Sequence, residues 1–267
     1  MTRYGGTKLF GEKIMKGFTK VLLIVLVIAA ISSACISPVR PRLIRGSGDI
    51  ILENRDVSGF DRIEMAGAGR IIITQGDVES LSIETDDNLM EYIRTEVRGD
   101  TLEIDFSEDI ILSRGGRDVL EPSDGFVFRI NVIDLESVSV LGAADIKSEK
   151  LKVGNFEINF SGAGDIRVDD LNAERLVVNI SGAGNVNLAG GVYSQVINLS
   201  GAGHYKAAEL ESQDASVVIS GVGGAELWVS DALDVVISGV GSLEYYGEPS
   251  VNQQISGLGR IQGLGDK

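Results

Sequence analysis

From residue 141 onward the apolar positions fall into short runs with a period of two. Phe156/Ile158/Phe160, Leu176/Val178/Ile180, Val217/Ile219 and Leu233/Val235/Ile237 alternate with neighbours such as Glu157, Asn159 and Asn179. That alternation describes strands with one buried face. Each run ends at a Ser-Gly-x-Gly tetrad, beginning at Ser161, Ser181, Ser200, Ser220, Ser238 and Ser256. A second alternating run follows the tetrad: Ile166/Val168, Val186/Leu188, Ala225/Leu227 and Leu243/Tyr245. The repeating unit therefore reads as strand, glycine corner, strand, short loop. The corner glycines are Gly162/Gly164, Gly182/Gly184, Gly201/Gly203, Gly221/Gly223, Gly239/Gly241 and Gly257/Gly259, and their first members are spaced by 20, 19, 20, 18 and 18 residues. A weaker copy, Leu141-Gly142-Ala143-Ala144, precedes them by one period, and a detached copy, Ala66-Gly67-Ala68-Gly69, lies far upstream.

A two-strand unit of this size cannot bury its own apolar face. Copies must stack, each strand pairing with its equivalent in the next copy about 4.8 Å away. The predicted fold is all-β: a repeat solenoid, parallel β-helix-like, with 18–20 residues per coil. An antiparallel β-sandwich is the competing layout, but it gives no reason for a constant period. Glycine is expected at the corners because it reaches positive φ without a steric penalty. Residues 46–140 read as an irregular version of the same fold, with strands at Asp49–Glu53, Arg62–Met65, Arg70–Thr74, Leu81–Glu84, Ile93–Val97 and Leu102–Phe106. Asp86/Asp87 are expected to cap one helical turn through Tyr92. This part suits the cap that a solenoid needs at its open end. Residues 46–267 are thus read as one domain, with 46–140 the irregular part and cap and 141–267 the regular repeats.

The N-terminal residues carry a different pattern. Val21–Ala30 is an unbroken apolar run preceded by Lys16 and Lys20 and followed by Ile31-Ser32-Ser33-Ala34-Cys35. A basic start, a short apolar core and a small-residue end describe an export signal over residues 1–35, with Met15 an alternative start. An uncleaved anchor is the competing reading, although a spanning helix needs about 20 apolar residues. The end resembles a bacterial lipobox, in which Cys35 would become the lipidated N-terminus. Residues 36–45, with Pro38 and Pro41, read as a tether.

Charge and composition narrow the function. The chain has 24 Lys+Arg against 39 Asp+Glu, a net of -15. Residues 1–34 hold a net of +4, so the remainder stands at -19. Such a surface is repelled by anionic lipid and by nucleic acid, whose phosphates need a basic stripe. One Cys and one His supply neither an intramolecular disulfide nor a His/Cys zinc site. No cofactor, metal or catalytic residue is expected. The tetrad leads into a strand, unlike a dinucleotide-binding loop, and it is not a nucleophile elbow. His204 occupies a corner slot held by Asp165, Asn185, Gly224, Ser242 and Arg260 in other coils, and reads as a solvated corner. The tetrad serines should form a ladder that caps corner amides or bonds to itself. Asp145, Asp165 and Asn185 form a shorter ladder, whose period is twice that of calcium-binding β-rolls.

One outward slot has a different character. Seven residues past each first tetrad glycine lie Asp169, Ala189, Ala208, Trp228, Tyr246 and Leu264. Stacking places the only Trp, Trp228, beside Tyr246. Neighbouring exposed aromatics suit sugar rings or a partner protein, so the pair is the candidate binding surface.

The run Gly48-Asp49-Ile50, Arg55-Asp56-Val57-Ser58-Gly59-Phe60-Asp61-Arg62-Ile63, Gly67-Ala68-Gly69, Ile73-Thr74-Gln75-Gly76 and Leu81–Leu89, together with the Ser-Gly-Ala-Gly-Asp/Asn series, resembles the bacterial family of putative auto-transporter adhesin, head GIN domains over residues 46–265. The resemblance implies an exported, often lipidated β-helix-like domain with no established reaction. Self-secretion would need a C-terminal membrane barrel, and the sequence reaches Lys267 just after its last repeat, so it is not expected. The expected function is non-catalytic: a cell-envelope or cell-surface lipoprotein that binds or scaffolds as an adhesin does. Its partners would be the membrane, through the N-terminal lipid, and a glycan or envelope protein, with no nucleic acid. The alternative is a carbohydrate-active enzyme acting on polysaccharide, for which Asp105, Glu108, Asp109, Arg114, Arg117 and Asp118 form the one dense charged stretch outside the repeats.

Overall fold

The computed structural model describes residues 42–107, 110 and 118–267, which fold as one unit. The signal, Cys35 and most of the tether lie outside the described residues. So do Glu108, Asp109, Arg114 and Arg117.

The repeats stack as coils of a parallel β-solenoid. At the corner, Ala143, Ala163, Ala183, Ala202, Val222, Val240 and Leu258 pair in one continuous in-register ladder. The detached copy belongs to the same ladder, because Ala68 pairs with Ala143 and Ile71 with Ile146. The segment between them folds onto the opposite side of the coil formed by Arg62–Met65 and Ala68–Gln75. There Thr101–Phe106 and Val127–Val132 pair with that coil in parallel. Antiparallel pairs close this end: Ile50–Arg55 with Ser80–Asp86, Ser80–Asp86 with Val127–Val132, and Ile93–Arg98 with Thr101–Phe106. Such cross-pairing covers backbone groups that an open end would leave free. Leu43–Arg45, which the sequence places in the tether, pairs with Val119–Glu121 and so belongs to the folded unit.

Four regular coils, Ala163–Ile180, Ala183–Leu199, Ala202–Ile219 and Val222–Ile237, each run as one continuous bent strand where two strands and a loop were predicted. In the coil after Ser161 the buried positions are Ile166 and Val168, then Leu171 and Ala173, then Leu176, Val178 and Ile180. The alternation slips phase at Asp169/Asp170 and again at Glu174/Arg175. Each slip turns the chain, which gives three short sides. The predicted loop is itself ladder-paired, Leu171 with Leu151 and Ala173 with Val153. The 18-residue coils are shorter at the middle side. Pairing jumps from Ala207–Leu227 directly to Glu211–Trp228, which leaves residues 208–210 without partners in the next coil.

The core is a set of columns. Ile104, Met65, Val140, Phe160, Ile180, Leu199, Ile219 and Ile237 stack just before the corner and are buried, while Ile255 in the last coil is 43% exposed. A second column runs through Ile146, Ile166, Val186, Tyr205, Ala225 and Leu243. Tyr205 is fully buried there, and the small Ala225 above it leaves room for the ring. Its hydroxyl donates to Gln195 Oε1 at 2.7 Å, Gln195 Nε2 donates to Ser212 Oγ at 2.7 Å, and Ser212 Oγ donates to the Trp228 carbonyl at 2.9 Å. Burial pushes the Tyr205 hydroxyl far up, so it stays a donor. Replacing Tyr205 with Phe leaves Gln195 Oε1 without that donor, at an expected cost of about 1–2 kcal/mol. A urea midpoint unchanged from wild type would rule out this role.

The corner glycines are required for a different reason than predicted. None of the first tetrad glycines has positive φ, and among the second only Gly164 does, at 126°. What forbids a side chain is the next coil. A Cβ on Gly162, Gly182, Gly201, Gly221, Gly239 or Gly257 would lie 1.8–2.2 Å from the carbonyl oxygen of the first glycine one coil earlier. The second glycines Gly164, Gly184, Gly203, Gly223 and Gly241 meet the same obstacle, with the preceding coil's carbonyl oxygen 1.9–2.5 Å from the added Cβ. Gly259 departs from both expectations. Its φ is not positive, and the atoms nearest an added Cβ belong to the Ile237 side chain, the first at 2.6 Å. In the last coil, then, Gly259 makes room for a core side chain and not for a backbone carbonyl. The close approach at the first glycines comes with a repeated hydrogen-bond pattern. Both Ser200 N and Gly201 N donate to the Ile180 carbonyl, and Ala202 N donates to the Gly182 carbonyl.

At the capped end Asp86 does not cap a helix. The helical turn among the described residues, Met90–Tyr92, has Leu89 at its N-cap and no side-chain cap bond. The Asp86 carboxylate is instead buried and accepts from Gly48 N at 2.8 Å, Ser123 N at 2.8 Å and Ser123 Oγ at 2.7 Å. It thereby ties the chain's approach to the fold, the first hairpin and the segment before Val127 to one point.

Candidate functional site

Trp228 and Tyr246 are register partners in adjacent coils, each half-buried. They therefore sit side by side, as stacking of the outward slot requires. Gly247, at φ 96°, lets the chain turn immediately after Tyr246, and a Cβ there would lie 2.0 Å from the Val229 carbonyl. The chain then returns past this surface: Leu264 N donates to the Tyr245 carbonyl at 2.8 Å and Gly265 O accepts from Gly247 N at 2.9 Å.

That return places Lys267 on the aromatic pair. Its Nζ lies 5.5 Å from the Trp228 ring centroid and 5.1 Å from that of Tyr246. It also donates to the Ala208 carbonyl at 2.6 Å and pairs with the Glu209 carboxylate. Ala208 and Glu209 belong to the stretch that has no partner in the following coil. The shortened coils thus expose a carbonyl and a carboxylate beside two rings. Both rings attract cations through their faces, and the oxygens accept the ammonium protons. Sequence reasoning found the two rings and missed the rest. Lys267 reaches a carbonyl 59 positions away, and no local pattern announces such a contact.

A further apolar feature lies at the corner. The variable tetrad position grows from alanine to Val222, Val240 and Leu258, which are 62%, 50% and 78% exposed.

The other sequence candidates serve the stack. Ser161 Oγ and Ser200 Oγ donate to carbonyls of the preceding coil, those of Val140 and Ile180, and neither caps an amide. Asp145 Oδ1 accepts from Asp165 N at 3.0 Å, and Asp165 Oδ1 accepts from both Asn185 N and Asn185 Nδ2. These acids bind backbone between coils. His204 is exposed and aligned with Asn185 and Gly224. Asp105 accepts from Phe106 N and Asp118 bridges to Ile110. Among the described residues, no group of three or more His, Cys, Asp or Glu side chains is arranged to hold a metal ion.

One charged cluster does form, near the capped end. Arg62 lies 2.8 Å from Glu136, 3.3 Å from Asp100 and 3.8 Å from Asp61. Burial, then Glu136 and Asp100, push the Asp61 carboxyl up. Stacked coils bring the three acids together, and the Arg62 guanidinium bridges them.

Comparison with known proteins gives the same architecture. A putative adhesin from Bacteroides fragilis is 25% identical and superposes with a TM-score of 0.77, covering 83% of this chain and all of that one. A putative adhesin and a putative lipid binding protein, both from Parabacteroides distasonis, are each 22% identical, with TM-scores of 0.65 and 0.66. They cover 83% and 84% of this chain and all of their own, and share its fold. No curated protein matches the chain at a significant level. The family model described as putative auto-transporter adhesin, head GIN domain, matches residues 59–249, most of the capped end and nearly all the coils, and the chain belongs to that family.

Proposed function

We propose that this chain is a non-catalytic binding module of the bacterial envelope, exported by residues 1–35, held to a membrane by lipid on Cys35, and using the Trp228–Tyr246 surface to contact a glycan or envelope protein. The observation that carries this is the in-register aromatic pair, held on rigid strands beside the Ala208–Glu209 stretch, which has no partner in the following coil. Aromatic pairs supply a large contact area at little cost in conformational entropy. The exposed Val222, Val240 and Leu258 add apolar surface in the same coils. The family and its Bacteroides fragilis neighbour carry adhesin descriptions, which agrees with a surface role.

The test is affinity capture with the full chain against envelope proteins and a glycan array. The Trp228→Ala/Tyr246→Ala variant should keep its far-UV circular dichroism and lose at least about tenfold in affinity for whatever the wild type captures. Equal capture by both would refute the assignment of this surface. Lipidation is checked separately: Cys35→Ser should release the chain from the membrane fraction. The Arg62 cluster gathers three carboxyl groups about one guanidinium, with the Asp61 carboxyl raised by burial, Glu136 and Asp100, and such a cluster favours a second reading as a carbohydrate-active enzyme. Release of reducing ends from polysaccharide by the wild type, lost in Asp61→Asn, would establish that reading.

A further inference from the structure

Lys267 occupies its place the way a ligand would. Its ammonium has a carbonyl acceptor in Ala208, a counter-ion in Glu209 and two aromatic faces in Trp228 and Tyr246. Its side chain retains only 25% exposure, while the Glu209 side chain is 72% exposed. Residues 208–210 have no ladder partner in the following coil there. We infer that Ala208 O, Glu209, Trp228 and Tyr246 form a binding site for a primary ammonium group, that Lys267 is its internal occupant, and that the external ligand is a lysine side chain of a partner protein.

The chemistry selects a primary ammonium. A quaternary ammonium satisfies the two rings but has no proton for the Ala208 carbonyl or the Glu209 carboxylate. A neutral chain of the same shape has neither the charge nor the protons. Lys267, tethered to the same molecule, competes at an effective concentration in the millimolar range. The site is therefore self-blocked at rest, and a partner must displace Lys267 to reach it. This deepens the binding reading above and rests on it for biological meaning, although the site itself can be tested alone.

Trp228 is the only tryptophan of the chain, so its fluorescence reports this site without a label. The full chain, as wild type and as Lys267→Ala, is titrated with Nα-acetyl-lysine methylamide, with the norleucine analogue, with tetramethylammonium and with glucosamine. The Lys267→Ala variant should give a saturable change in Trp emission with the lysine probe, at least about tenfold tighter than wild type, and a weaker or no response to the other three. Adding Glu209→Gln to Lys267→Ala should weaken lysine binding by about tenfold, a substitution of an exposed side chain that leaves the core untouched. Equal and non-saturable responses in wild type and Lys267→Ala would overturn the site. Tighter binding of tetramethylammonium or the norleucine analogue would overturn the primary-ammonium assignment, and tighter binding of glucosamine would overturn the protein lysine as source. The outcome is separable from that of the capture experiment. Partner capture that depends on Trp228 and Tyr246 but is not competed by the lysine probe leaves the binding module standing and this inference refuted. Saturable lysine binding with no partner captured leaves the reverse.

Discussion

Gly201→Ala is expected to unfold the protein or cost it more than about 4 kcal/mol, although the substitution adds one methyl group to a residue whose φ is not positive. The added Cβ would lie 2.2 Å from the Gly182 carbonyl oxygen and 2.5 Å from the Ser181 backbone. Those are main-chain atoms, so no side-chain rotation relieves the contact. Nor can the coils part locally, because the Ala202 N–H to Gly182 carbonyl bond, at 2.9 Å, sits one residue away. The matched control is Gly154→Ala. A Cβ there meets nothing within 4 Å and the backbone is not in the left-handed region, so the effect should be neutral or stabilising by up to about 1 kcal/mol. Urea unfolding of the two variants beside the wild type decides the matter. If Gly201→Ala loses less than about 1 kcal/mol, the close approach of the coils is not what demands glycine.

Asp86 is the second sensitive point. Asp86→Ala should destabilise the fold by about 3 kcal/mol near neutral pH, because Gly48 N–H and both Ser123 donors lose a charged, buried acceptor. Asp86→Asn keeps the shape but presents an NH2 where an oxygen accepted, and should recover only part of that loss. Burial by itself pushes the Asp86 carboxyl up, but the bonds from Ser123 and Gly48 outweigh it and hold the group below the usual carboxylate range. The sign of the pH effect follows. A depressed folded-state value contributes stability that is fully present above the unfolded carboxylate value of about 3.9 and is lost as pH falls through the lower, folded value. The difference in stability between wild type and Asp86→Asn should therefore be constant from pH 7 down to about 5 and shrink below about 4. A difference that does not narrow in acid would mean that Asp86 is not the charged anchor of the cap.

Most of the solenoid can be read from residue order alone. The alternating runs before and after each tetrad, such as Leu176/Val178/Ile180 and Val186/Leu188, are buried as the period-two pattern requires. The predicted strands upstream lie within two residues of those observed, as with Leu81–Glu84 inside Ser80–Asp86. What escaped the pattern was the middle side. Leu171 and Ala173 are set off from their neighbours by two phase slips, and a short run bounded by slips resembles a loop. The place of Ala66–Gly69 also escaped. It joins the ladder only because the intervening cap folds away to the other side of its coil.

The candidate site was half legible. Equal offset from the corner brings Trp228 and Tyr246 together, and offset is a property of sequence. The Lys267 contact and the Tyr205–Gln195–Ser212 network are not, since each joins side chains from different sides or coils. Tyr205 occupies a slot that Val186 and Ala225 fill in neighbouring coils, so its neighbours in sequence identify it as one more apolar residue.

By itself the sequence determined the solenoid, its period, the buried faces and the neighbourhood of the two rings, because all of these follow from spacing repeated along the chain. Only the tertiary structure decided why the corners must be glycine, how Asp86 locks the capped end and which ammonium lies on the aromatic pair. These depend on distances between backbones and side chains far apart in the chain, and such distances exist only after the coils have stacked.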